Sequence, residues 1–175
     1  MKKICTFLTI AICVITMLFG SMSLKVEAAN AGQFGETLGF DWAYNPRTKT
    51  LIITGSDTGF YDVSHDMRSP ILDLCDEVEV IILQDCAPIG TMRCAFANLE
   101  SLKRVEFDNF DTSKVTSMNA MFYGCTNLTE LDVSGFDTSN VTTMYDMFAR
   151  CSNLQTLDVS GFDTSKVTDM GSMFA

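Results

Sequence analysis

Apolar residues recur along this chain on a fixed beat. From Phe110 the stretch FDTSKVTSMNAMFYGCTNLTELDVSG returns as FDTSNVTTMYDMFARCSNLQTLDVSG from Phe136, and a third copy runs from Phe162 to Ala175, a period of 26 residues. A repeat of that length is one supersecondary unit that buries its apolar stripe only against its neighbours. Two patterns alternate within the unit. Leu128-x-x-Leu131-x-Val133, preceded by Leu102-x-x-Val105-x-Phe107 and followed by Leu154-x-x-Leu157-x-Val159, reads as a short strand, and stacking the three predicts a parallel sheet. Val115-x-x-Met118-x-x-Met121-Phe122 spaces its apolar residues by three and four, which predicts a short helix or helical turn facing the same core, with Asp111-Thr112-Ser113 as its cap or as an Asx turn. A degenerate unit comes first: stepping back one period sets Met92 on Met118, Phe96 on Phe122, Leu102 on Leu128 and Ile89 under Val115. The expected architecture is an α/β solenoid over residues 78–175, with a short parallel sheet.

Residues 30–77 do not follow the beat. Leu38, Phe40, Trp42 and Tyr44 alternate with Gly39, Asp41 and Ala43, the period of a half-buried strand; Asn45-Pro46-Arg47 supplies turn chemistry, and Thr50–Thr54 reads as the returning strand of a hairpin. Gly55–Ser69 reads as loop, Pro70–Leu74 as the start of a short helix, and Val78–Leu83 as the next strand. This stretch is expected to form a small β-rich module ahead of the repeats.

Residues 1–29 have the layout of an export signal: Lys2 and Lys3, an apolar run from Ile4 to Phe19, and small residues at Ala28 and Ala29 where cleavage is expected. The run is short for a membrane-spanning helix, so membrane contact is expected only through this segment if it stays uncleaved. Its removal takes away three lysines and one glutamate and moves the net charge from −10 to about −12. An acidic chain of this kind repels nucleic acid and anionic membranes at long range, so neither is expected as a partner. Cys5 and Cys13 leave with the signal, and Cys75, Cys86, Cys94, Cys125 and Cys151 remain, an odd number that cannot all pair internally. Cys86 and Cys94 are near enough in sequence to pair.

Stacking turns converts repeat positions into columns about 5 Å apart. Met118, Met144 and Met170, then Met121, Met147 and Met173, then Phe122, Phe148 and Phe174, are expected as core. Cys125 and Cys151 share a position with Leu99, which fits buried thiols better than a zinc site. Asp111, Asp137 and Asp163 suit turn capping better than calcium. The strand residues between the apolar ones should face outward: Arg104, Glu106 and Asp108 on one turn, Glu130, Asp132 and Ser134 on the next, Thr156, Asp158 and Ser160 on the third. This ribbed acidic strip is the candidate ligand-facing surface. An enzyme is not expected: His65 is the only histidine, and neither a nucleophile elbow nor a phosphate-cradling glycine loop is present. No cofactor or metal is expected.

The repeats, FDTSxVTxMxxMFxxCxNLxxLDVSG, resemble those of BspA-type leucine-rich-repeat surface proteins of bacteria, a variant first catalogued in mycoplasmas as a domain of unknown function. Gly35–Trp42 and Thr50–Gly55 look like the β-rich module that often precedes such repeats, and Pro88–Phe107 is similar to a related repeat type. The resemblance implies a leucine-rich-repeat-like stack in a secreted or wall-displayed adhesin-like protein, with a host or neighbouring-cell surface protein or glycan as partner and no reaction. A structural role in an envelope or matrix, by packing of solenoids, is the alternative, and a secreted hydrolase a more distant one. The sequence stops in mid-repeat, so self-association through an uncapped C-terminal end is expected as well.

Overall fold

A computed structural model describes residues 33–37, 40–55 and 77–175. The expected signal segment, positions 56–69 of the loop, the helix at Pro70–Leu74, His65 and Cys75 lie outside the described residues.

Among the described residues, eight strands form two sheets. The larger contains β1 (Gln33–Thr37), β2 (Phe40–Asn45), β3 (Thr50–Thr54), β4 (Val80–Gln84), β6 (Arg104–Asp108) and β8 (Glu130–Leu131), in the order β1-β2-β3-β4-β6-β8. The first two pairings are antiparallel and the rest are parallel, so the sheet is mixed. β5 (Gly90–Thr91) and β7 (Val115–Ser117) pair in parallel as the smaller sheet.

The hairpin forms as its residues dictate. The Asn45 side chain accepts the Arg47 N–H at 3.0 Å and the Thr48 N–H at 3.4 Å, while Lys49 takes the left-handed conformation that brings β3 back. Phe40–Asn45 of the expected alternation form β2, Leu38 and Gly39 lie outside the described residues, and β1 is an addition to the expected hairpin. β3 then pairs with β4, so hairpin and repeats share one continuous sheet. Leu51 sits opposite Ile81, Ile53 opposite Leu83, Ile81 opposite Val105 and Leu83 opposite Phe107, a row of apolar side chains on the inner face.

No described residue is helical, which corrects the α/β expectation. The return segment is extended at Val115–Ser117 and then turns. Its ladder continues as parallel bridges from Ser117 to Thr143 and from Thr143 to Asp169. Two causes act against a helix. Cys94, Ala120, Asp146 and Ser172 recur one period apart with φ between 51° and 55°, and this left-handed residue interrupts a helix two residues after Met92, Met118, Met144 and Met170. Backbone bonds also alternate between the next turn and the segment itself: Met118 N–H donates to Thr143 at 3.0 Å, Ala120 to Tyr145 at 2.8 Å and Phe122 to Met147 at 2.9 Å, while Met121, Tyr123 and Cys125 donate only three residues back, to Met118, Ala120 and Phe122. Spacing by three and four here reports a bent, cross-linked loop.

The core is as expected in most positions. Met92, Phe96, Met118, Met121, Phe122, Met144, Met147 and Phe148 are buried, and the rings of Phe96, Phe122, Phe148 and Phe174 stack at centroid separations of 5.1, 5.8 and 5.7 Å. Val133 is buried and Val159 partly so. Three expectations are corrected. Ile89 is exposed, because Gly90 is the residue that pairs with Val115. Met170 and Phe174 are 45% and 62% exposed. The strands also shorten, from five residues in β6 to two in β8, and Leu154–Val159 forms none.

Candidate binding face

All nine residues of the expected strip are exposed. β6 presents Arg104, Glu106 and Asp108, and β8 sets Glu130 beside Arg104 in register. Asp132 and Ser134 lie in the turn after β8, and Thr156, Asp158 and Ser160 in the irregular segment of the following turn. The strip is thus contiguous over three turns, but only its first part is regular sheet.

Asp132 and Asp158 have a local task. Each accepts, at 2.9 Å, the N–H of the serine two residues on, Ser134 and Ser160. Asp111, Asp137 and Asp163 do the same for Ser113, Ser139 and Ser165. These Asx turns explain why the column acids stay charged despite stacking. Hydrogen bonds from the serine hold all five carboxyls below their ordinary range; the hydroxyl contributes most at Asp111, Asp132, Asp137 and Asp158, and the backbone N–H at Asp163. Repulsion from Asp158 pushes Asp132 the other way and loses.

Arg104 is partly committed, its Nε lying 2.9 Å from Glu106. Below the strip, Glu79 bridges Lys49 at 3.1 Å and Lys103 at 2.6 Å, a cross-strand pairing that no motif in the chain marks. Glu130, Asp132 and Asp158 form no ion pair among the described residues. Between the turns run two shallow grooves. One, about 400 Å³, is lined by Arg104, Val105, Glu106, Glu130, Leu131 and Asp132; the other, about 460 Å³, by Leu131, Asp132, Val133, Thr156, Leu157 and Asp158. Leu131 and Leu157 are therefore part of the face, although the repeat pattern assigns them wholly to the core. No sequence signal marks them, because the pattern cannot show that the turns part here.

The cysteines lie away from the strip. Cys86 and Cys94 lie in separate buried clusters and are not joined by a disulfide, which corrects the pairing their proximity in sequence allows. Cys125 donates to the Phe96 carbonyl at 3.0 Å and Cys151 to that of Phe122 at 3.1 Å, so each thiol satisfies a carbonyl of the previous turn. Burial pushes the Cys86 and Cys151 thiols up to about 11 and Cys125 further still, which leaves them protonated and unreactive at neutral pH.

Residues 90–175 match the family model described as Mycoplasma protein of unknown function, DUF285. No curated protein and no solved structure matches the chain. Among the described residues, no helix is long and apolar enough to cross a membrane.

Proposed function

We propose that the chain is a secreted or cell-surface interaction protein of the adhesin-like, BspA-type kind, its residues 78–175 forming a leucine-rich-repeat-like solenoid behind the β-rich segment 30–77 and its residues 1–29 serving as the export signal. It binds a host or neighbouring-cell surface protein or glycan through the strip from Arg104 to Ser160, without cofactor and without catalysing a reaction. The observation that carries this reading is the run of exposed acids over three successive turns above shallow grooves, with Glu130, Asp132 and Asp158 outside every ion pair among the described residues. Asp158 repels the Asp132 carboxylate, and such repulsion, roughly 1 kcal/mol in water for unit charges about 4 Å apart and less beyond, is relieved by a basic partner.

The test is retention of labelled full chain on intact cells and immobilised matrix proteins, compared with a triple variant, Glu130→Gln, Asp132→Asn and Asp158→Asn. Asparagine keeps the Asx turn, so folding is preserved. Saturable binding that falls with the variant and with added salt supports the reading; binding that ignores both contradicts it.

A structural role, by packing of solenoids, is the second reading. Light scattering decides here: self-association abolished by Phe174→Ser favours packing, and a monomer at high concentration favours ligand binding.

A further inference from the structure

The hydrogen bonds joining the turns behave differently on the two sides of the chain. On the strand side, Glu79 N–H donates to the Lys49 carbonyl at 2.9 Å, Lys103 to Glu79 at 2.8 Å and Thr129 to Lys103 at 2.9 Å. The next step, from Gln155 to Thr129, is not made among the described residues, nor is any other backbone bond between 129–134 and 155–160. On the return side successive turns remain joined through the last: Thr142 N–H donates to Thr116 and Thr168 N–H to Thr142, both at 2.8 Å. The chain is therefore held together behind and parted in front, and the groove lined by Leu131, Val133 and Leu157 occupies the parting.

We propose that this parting receives an extended basic peptide, which pairs as an added strand with the open backbone edge of β8. The proposal rests on the exposed strip being the binding face. An unpaired strand edge offers carbonyls and N–H groups in the pattern that an added strand completes. A strand lying along β8 turns alternate side chains to opposite faces. One set meets the apolar floor of Leu131 and Leu157; the other meets Glu130, Asp132 and Asp158, which have no ion-pair partner among the described residues. The complementary segment alternates apolar with lysine or arginine, the pattern of β6 (Arg104-Val105-Glu106-Phe107-Asp108) with its excess of acid replaced by base. The net charge of −10 steers such a segment inward.

The experiment titrates the full chain with a labelled, end-capped Lys-Val-Lys-Val-Lys-Val-Lys-Val peptide. It also uses the same peptide N-methylated at alternate amides along one edge and a Glu-Val counterpart. Saturable binding of the Lys-Val peptide is expected, with amide shifts at Leu131 and Leu157, no binding of the Glu-Val peptide, and affinity about tenfold weaker after N-methylation through loss of backbone bonds. The triple variant Glu130→Gln, Asp132→Asn, Asp158→Asn weakens binding by a similar factor while keeping the fold. Equal binding of the methylated peptide overturns strand pairing and leaves the acidic strip as a charge-reading surface. Failure of the Lys-Val peptide to bind, where the chain still adheres to cells through the strip, overturns the peptide proposal alone; failure of both ends the two readings together.

Discussion

The strand side and the return side of this molecule carry the same 26-residue beat and end differently. Behind, the ladder from Gly90 through Val115–Ser117 to Thr143 and Asp169 persists to the last turn; in front, β6 has five residues, β8 has two, and Leu154–Val159 has no strand. The difference lies in which local bonds compete with the ladder. In β6 the residue before Phe107 is Glu106, whose carboxylate is taken up by Arg104, and the chain stays extended. In the next two turns the equivalent residue is aspartate, short enough to capture the N–H two residues on, and the Asx turns at Asp132 and Asp158 bend the chain out of register. On the return side the threonines reinforce the ladder instead: Thr116, Thr142 and Thr168 donate to Gly90, Thr116 and Thr142 at 2.9, 3.0 and 3.1 Å. The threonine hydroxyls thus add side-chain bonds to the backbone ladder behind, which the aspartates of the front do not.

If the return side carries the stability, damage there should dominate. Phe122→Ala removes a fully buried ring stacked between Phe96 and Phe148 and should cost about 3–5 kcal/mol in denaturant unfolding. Thr138→Val comes next. The Thr138 hydroxyl donates to the Asp163 carbonyl at 3.2 Å and accepts the Asp163 N–H at 2.8 Å, so the isosteric change should cost about 1–3 kcal/mol by leaving those groups unpaired. Acid sharpens the contrast by loosening the Asx turns. Because the five aspartates titrate below their unfolded values, their contribution is fully present above about pH 4 and is lost as pH falls through the lower folded values. A pH series of melting temperatures should be flat with respect to these groups above that point and decline below it, and Ser134→Ala should flatten part of the decline.

Much of this architecture was legible in the chain. The hairpin turn at Asn45, the strand Thr50–Thr54, the methionine and phenylalanine columns and the outward strip all follow from alternation, period and turn chemistry. The return segment was not. Its apolar spacing matches a helix, while the left-handed residues that prevent one fall at two positions per repeat: Asn98, Gly124 and Arg150, where asparagine and glycine are a visible but inconstant mark, and Cys94, Ala120, Asp146 and Ser172, where no glycine announces it. The parting in front was hidden for a related reason: Leu131 and Leu157 look like core by pattern, and whether two matching turns meet depends on Asx turns competing with the ladder, which the period alone does not show.

The central claim is that the turns are locked behind and open in front, and residue-resolved amide hydrogen exchange on the full chain tests it most directly. Thr142 and Thr168, which bracket the open segment in sequence, should exchange slowly, while Gln155 and Leu157 between them should exchange at nearly the rate of an unstructured chain. Equal protection of all four would mean that the front ladder is closed, and would contradict the account.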